Sequence, residues 1–312
     1  MKLLISGTTG FVGRNLVRYL YSTEKELYCL GLNTRHDGGV SESILWHNLN
    51  SLGCYKCNTV IHLAGKAHDI IGASDPLEYF KVNTGLTKKL FDLFIDSDAR
   101  DFIYFSSVKA VADTVLGVLN EDVAANPKTS YGESKYKAEQ YLLSKELPEG
   151  KRIFILRPCM IHGPGNKGNL NLLYNVVKKG IPYPLAAFEN RRSFLSINNL
   201  LFVIEQLLNN PAIPGGIYNI ADDEPLATSE VIKIMGEANG SKPRLWSLSP
   251  TLIQTFVRVG DKLRLPLNSE RLKKLTESYV VSNHKLKNAL GIKALPVSSR
   301  DGLLETIRSF EK

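Results

Sequence analysis

The sequence predicts an α/β protein: a doubly wound parallel sheet with a smaller mixed C-terminal lobe. Three observations carry that reading. Short apolar or β-branched runs alternate with helix-spaced segments across residues 1–162. A glycine-rich turn joins the first run to the first helical segment. Gly7, Gly65, Ser107 and Pro158 each follow a strand end, which gathers small and polar residues on one rim of a parallel sheet.

The elements follow in order. Lys2–Ser6 reads as a short buried strand, and Phe11–Tyr21 as a helix with Leu16, Val17 and Leu20 on one side. Leu27–Leu32 is a second apolar run of strand length, and Ser43–Trp46 a third. Thr59–Leu63 is β-branched and ends at Ala64-Gly65. Leu77–Asp96 has the spacing of one long helix, with Phe80, Leu86, Leu90 and Leu93 as its apolar side. Phe102–Phe105 is a strand ending in Ser106-Ser107, Ser130–Lys145 a helix, and Lys151–Leu156 a strand closed by Arg157-Pro158. Right-handed crossovers wind such a series onto both faces of the sheet. Beyond the loop Gly163–Gly168 the alternation loosens: Asn169–Lys179, Asn198–Asn209, Ser229–Glu237 and Arg300–Phe310 look helical, and Gly216–Ile220 looks like a strand. Residues 163–312 are expected to form mainly a lobe over the rim, with about 194–221 returning to the sheet.

Bulk properties narrow the function classes. Across 312 residues, 43% are hydrophobic and 22% charged, as in ordinary globular domains. No apolar run reaches membrane-spanning length, and the start runs directly into a strand pattern, so no transmembrane segment and a cytoplasmic location are expected. The formal charge of +8 favours an anionic substrate or surface. Nucleic acid is disfavoured, because no long Lys/Arg run or aromatic RNA signature is present. Val257–Lys274 is locally basic through Arg258, Lys262, Arg264, Arg271, Lys273 and Lys274, which suits peripheral contact with anionic lipid. Cys54 and Cys57 form a C-x-x-C pair without a second pair, so reduced thiols and no metal are expected.

Gly7-Thr8-Thr9-Gly10-Phe11-Val12-Gly13 is a G-x-x-G-x-x-G run between strand and helix. Glycine permits the tight turn and close approach of a pyrophosphate, and the helix start offers free N–H groups to it. This is the dinucleotide fingerprint of the Rossmann fold. Leu32-Asn33-Thr34-Arg35-His36 ends the second strand without an acid for a ribose 2′-hydroxyl. Asn33 and Arg35 therefore tilt the expected cofactor toward NADP over NAD. Asn48 and Leu49, after the third strand, are placed to cover the adenine.

Tyr131 and Lys135 are four apart in Ser130-Tyr131-Gly132-Glu133-Ser134-Lys135, on one face of a helix. A phenol beside an ammonium is an acid–base pair, and the ammonium is expected to lower the phenol's pKa. Ser107, at the preceding strand end, has a hydroxyl suited to a substrate oxygen, with Ser106 competing for that role. With the fingerprint, these residues imply oxidation of an alcohol or reduction of a ketone.

Together these segments resemble the extended short-chain dehydrogenase/reductase family, in its nucleotide-sugar epimerase, dehydratase and reductase branch. The resemblance covers nearly the whole chain. It rests on the glycine fingerprint, His62-Leu63-Ala64-Gly65, Val82-Asn83, Ser106-Ser107, Tyr131-Gly132-x-Ser134-Lys135, Arg157-Pro158 and Gly163-Pro164-Gly165. It implies Tyr131 as general acid/base, Lys135 as its partner and Ser107 as the hydroxyl-binding residue. It implies Leu63, Ala64, Gly65, Asn83 and Pro158 along the cofactor. It implies Lys109, Asn169, Arg192 and, more weakly, Arg271 toward a UDP-sugar, and allows a homodimer. Val111-Ala112 replaces the family's usual Tyr-Gly, and Asn48 its usual acid. Val108-Lys109 replaces the Asp-Glu pair that dehydratases carry, so 4,6-dehydration is not expected. The resemblance leaves a 4-ketoreductase, which Arg35 favours, a 4-epimerase, and distantly a non-catalytic dinucleotide-binding regulator.

Overall fold

A computed structural model describes residues 1–22, 26–31, 42–46, 57–67, 75–166, 168–263 and 269–311. In chain order the first half contains β1 (Lys2–Ser6), α1 (Phe11–Tyr21), β2 (Glu26–Gly31), β3 (Glu42–Leu45) and β4 (Thr59–His62). It continues with α2 (Pro76–Tyr79), a π-helical turn (Phe80–Gly85), α3 (Leu86–Ile95), β5 (Asp101–Phe105), β6 (Val118–Leu119), α4 (Ser130–Leu143) and β7 (Arg152–Pro158). The second half contains β8 (Met160–His162), α5 (Asn169–Lys178), β9 (Phe194–Ser196), α6 (Ile197–Asn209), β10 (Gly216–Ile220) and α7 (Thr228–Ala238). It ends with α8 (Pro250–Leu263), α9 (Ser269–Thr276), β11 (Val280–Val281), α10 (His284–Leu290) and α11 (Ser299–Arg308).

Seven strands form one sheet in the order β10-β7-β5-β4-β1-β2-β3, every neighbouring pair parallel. The order reverses beside β1, which places a crevice at the carboxyl ends of β1 and β4. Side chains alternate across this sheet. Leu3, Ile5, Ile103, Phe105, Phe154 and Leu156 meet α1 and α6 on one face. Leu4, Val60, Phe102, Tyr104 and Ile155 meet α3 and α4 on the other. Burial on both faces explains why these strands read as continuous apolar runs. At the edge of the sheet β10 lies on β7, whereas β9 pairs with β8 outside it; α6 lies on α1, where Tyr19 Oη donates to Glu205 Oε2 at 2.5 Å.

Two features depart from expectation. The helix expected over Leu77–Asp96 is interrupted by the π-helical turn at Phe80–Gly85. Asp75 starts that helix, its Oδ1 accepting from Leu77 N at 2.9 Å with Pro76 at the first position. The chain also holds short strands that periodicity does not reveal, in the parallel pairs β8–β9 and β6–β11. A separate apolar cluster of Leu170, Tyr174, Phe194, Ile232, Met235 and Leu303 joins α5, α7 and α11. A smaller one joins Leu185 to Ile253, Val257 and Leu272 of α8 and α9.

Candidate active site

The glycine turn is fixed by contact with the backbone. Gly7 has φ +77°, and a Cβ there would lie 2.6 Å from Ala64 N. A Cβ on Gly13 would lie 2.2 Å from Gly7 O. The turn thus packs against Leu63-Ala64-Gly65 at the end of β4, leaving Thr9 and Gly10 exposed. Helix α1 starts after Gly10 with no side chain capping it. Phe11 and Val12 pack partly into the core below. A helix start that no side chain caps, over a backbone that tolerates no side chain, fits a dinucleotide pyrophosphate. Asn33, Arg35, Asn48 and Leu49 lie outside the described residues.

Helix α4 carries the acid–base pair. Thr129 caps it, its Oγ1 accepting from Gly132 N at 3.2 Å. Gly132 is needed for close approach: a Cβ there would lie 2.4 Å from Lys109 O. The turn after β5 therefore seats on the start of α4, and this brings the Ser107 hydroxyl near enough to the Tyr131 phenol to pull its pKa down. Ser107 Oγ also accepts from Lys109 N at 3.2 Å. Ser106 is not the free hydroxyl, because it donates to Glu139.

The electrostatics correct one expectation. Tyr131 is not lowered by Lys135: burial pushes its pKa up, against the opposing pull of the nearby Ser107 hydroxyl. Lys135 is itself lowered to about 8 by burial, which the charge of Glu139 opposes. Its Nζ donates to Phe105 O at 2.7 Å and lies 5.0 Å from the Tyr104 ring centre. It also borders Gly65, since a Cβ there would be 3.1 Å from Nζ and 3.0 Å from Asn83 Oδ1.

Glu139 is the residue that sequence reasoning missed. It stands one turn beyond Lys135, is 1% exposed, and pairs with Arg157 through Nε–Oε1 at 3.0 Å and Nη2–Oε2 at 2.5 Å. The spacing Tyr131, Lys135, Glu139 was its available signal. Asn83 is wholly buried and its amide is used by the protein. Its Oδ1 accepts from Lys66 N at 2.7 Å, and its Nδ2 donates to Lys66 O at 3.0 Å and Ser134 Oγ at 2.9 Å. Thr84 Oγ1 donates to Ser134 O at 2.8 Å. The π-helical turn thus ties the 63–67 loop to α4. His62 completes the support, between Ser6 Oγ at 2.6 Å and Thr87 Oγ1 at 2.9 Å. Burial, with the Lys135 charge, lowers it to about 3, so its ring stays neutral.

A cleft of about 530 Å³ opens beside Tyr131, lined by Pro76, Tyr79, Lys109, Asp113, Lys128 and Thr129 among others. Lys109 Nζ donates to Asp113 O at 2.7 Å and sits 4.4 Å from the Tyr279 ring centre. Arg192 is not in a regular strand, since β9 starts at Phe194. It is held by bridges to Leu226 and Tyr279, and its Nε donates to Glu277 O at 3.1 Å. Its charge is felt at Lys109. Pro158 is buried at the end of β7, and Asn169 is exposed at the start of α5. The side chain of Arg271, in α9, lies outside the described residues, as does Cys54. Cys57 is buried and its thiol is pushed up to about 11, and no metal-binding group occurs among the described residues.

The family described as NAD dependent epimerase/dehydratase matches residues 3–221. The chain belongs to that family. It is 32% identical to a UDP-glucose 4-epimerase of Vibrio cholerae, over 99% of this chain and 95% of that protein. It is 26% identical to a GDP-6-deoxy-D-mannose reductase of Pseudomonas aeruginosa, over 76% and 79%. The fold matches that of the Bordetella bronchiseptica enzyme WbmG in complex with NAD, with a TM-score of 0.77 at 18% identity over 100% and 94% of the two chains. This member of the family is therefore an extended short-chain dehydrogenase/reductase with a Rossmann sheet, of the nucleotide-sugar branch.

Proposed function

We propose that the chain exchanges hydride at C4 of a UDP-sugar and acts as a 4-epimerase, with Tyr131 as the acid–base group. The observation that carries this reading is the seating of the Ser107 turn on the start of α4 through Gly132, with Tyr131 lining the cleft and Lys135 buried one turn along, donating to Phe105 O. Gly7, Thr9, Gly10, Phe11, Val12 and Gly13 would hold the cofactor's pyrophosphate, and Leu63, Ala64, Gly65 and Pro158 would flank it. A nicotinamide dinucleotide supplies the hydride acceptor and donor when bound.

Ser107 holds the substrate's C4 oxygen and Tyr131 moves its proton. Lys135 keeps a positive charge beneath them, and Lys109 and Arg192 face the anionic part of the substrate. Similarity to a UDP-glucose 4-epimerase over nearly both whole chains supports the epimerase form. A second reading, an NADPH-dependent 4-ketoreductase, is favoured by Asn33 and Arg35 where an acid would select NAD.

The test is turnover of UDP-hexoses and UDP-N-acetylhexosamines by purified protein without added coenzyme. Interconversion of C4 epimers is expected. Stoichiometric demand for NADPH with a 4-keto sugar establishes the reductase instead. In either case Tyr131→Phe should lower kcat by about 10²–10⁴-fold and leave dinucleotide binding unchanged. Persistent turnover in that variant overturns the mechanism.

A further inference from the structure

The C-terminal lobe carries a basic stretch of which only Arg271 was assigned toward the substrate. From Lys242 to Lys274 the sequence holds eight Lys or Arg against two Asp or Glu. This one stretch carries six of the chain's net eight positive charges.

Its described residues set apolar side chains beside the cations. The 244–247 segment is extended along 183–186: Tyr183 N donates to Arg244 O at 2.8 Å, Trp246 N to Tyr183 O at 2.9 Å, and Ala186 N to Trp246 O at 3.3 Å. Residues two apart on an extended chain share a side. Lys242, Arg244, Trp246 and Leu248 are all exposed, in that alternation. Trp246 is 52% exposed. Ile181, two residues before the paired Tyr183, and Leu252, in the first turn of α8, are also exposed.

We infer that this face of the lobe docks the protein on an anionic lipid bilayer. The indole suits headgroup depth, the aliphatic side chains suit the acyl boundary below it, and the cations suit acidic headgroups. Nucleic acid would match the charge, but single strands are held by stacking aromatics rather than exposed aliphatics. Protein interfaces are depleted in lysine. Contact is peripheral, since no helix among the described residues is long and apolar enough to cross a membrane. The inference does not depend on which sugar is turned over.

The chain has two tryptophans, and Trp46 is buried, so a Trp46→Phe protein reports on Trp246 alone. With phosphatidylcholine vesicles containing phosphatidylglycerol, the full chain should co-sediment and Trp246 emission should shift to the blue. Added salt should weaken the association. Arg244→Glu, and separately Trp246→Ala with Leu248→Ala, should each lower partitioning by about tenfold. Turnover of a soluble sugar nucleotide should be unchanged in both. Equal binding to pure phosphatidylcholine, no binding, undiminished binding by the variants, or capture of duplex DNA in preference to vesicles would each overturn the inference.

Discussion

Glu139 fixes the character of the acid–base site from a position that touches no substrate. Its carboxylate is anchored by Ser106 and Arg157, and its charge holds the Lys135 proton against burial. Glu139→Gln should therefore move the Lys135 proton loss to a pH below the value near 8, and the alkaline limb of the kcat–pH profile should move down with it. An unmoved limb would remove Glu139 from that role. Lys135 also gives a stability trend of known sign. Its folded pKa lies below that of an unfolded lysine, so the penalty for burying its charge is complete below about 8 and is relieved as pH rises toward 10.5. Tyr131, Lys135 and Ser107 were legible because acid–base chemistry needs those residue types at that spacing. Glu139 was not, because an acid among Lys137 and Gln140 reads as a solvated helix face. The pKa direction of Tyr131 was also out of reach, since burial depends on packing that one helix does not encode.

Among the elements, α4 and the turn after β5 work as a pair, and Gly132 is the point of contact. A Cβ there would press on a backbone carbonyl, which has little room to give. Gly132→Ala should displace the 108–110 turn, lower kcat by about 10²-fold and leave circular dichroism nearly unchanged, because an ångström-scale shift between reacting groups costs that much. Full activity in this variant would show that the approach is not needed. Strands such as β1, β4, β5 and β7 were readable because burial on both faces leaves a continuous apolar run. The π-helical turn was not, because one extra residue per turn hardly disturbs the spacing of Phe80, Leu86 and Leu90. Its effect is tertiary: it turns Asn83 and Thr84 toward Ser134. The pairs β8–β9 and β6–β11 escaped detection because two or three residues are too short to show a period.

For the whole molecule, Arg152 joins separate parts of the sheet. Its Nε meets Asp101 Oδ1 at 2.7 Å, and its Nη1 meets Pro211 O and Ile213 O at 2.8 Å each, in the segment leading into β10. Asp101 is 2% exposed in its side chain, so losing its partner leaves a buried carboxylate with, among the described residues, only Arg100 as an ion-pair partner. Arg152→Ala should destabilise the protein by roughly 2–4 kcal/mol, read as a lower urea midpoint with an unchanged slope. A midpoint within error of the parent would assign the pair no net contribution. The position of β10 on β7 has a consequence for where the chain can be cut. The last strand of the sheet is made only after β8, α5 and β9 have left it and α6 has come back. A product ending at His162 would leave β7 as a bare rail of unpaired amides and carbonyls. Such a rail recruits other chains, so a product cut at that point should self-associate.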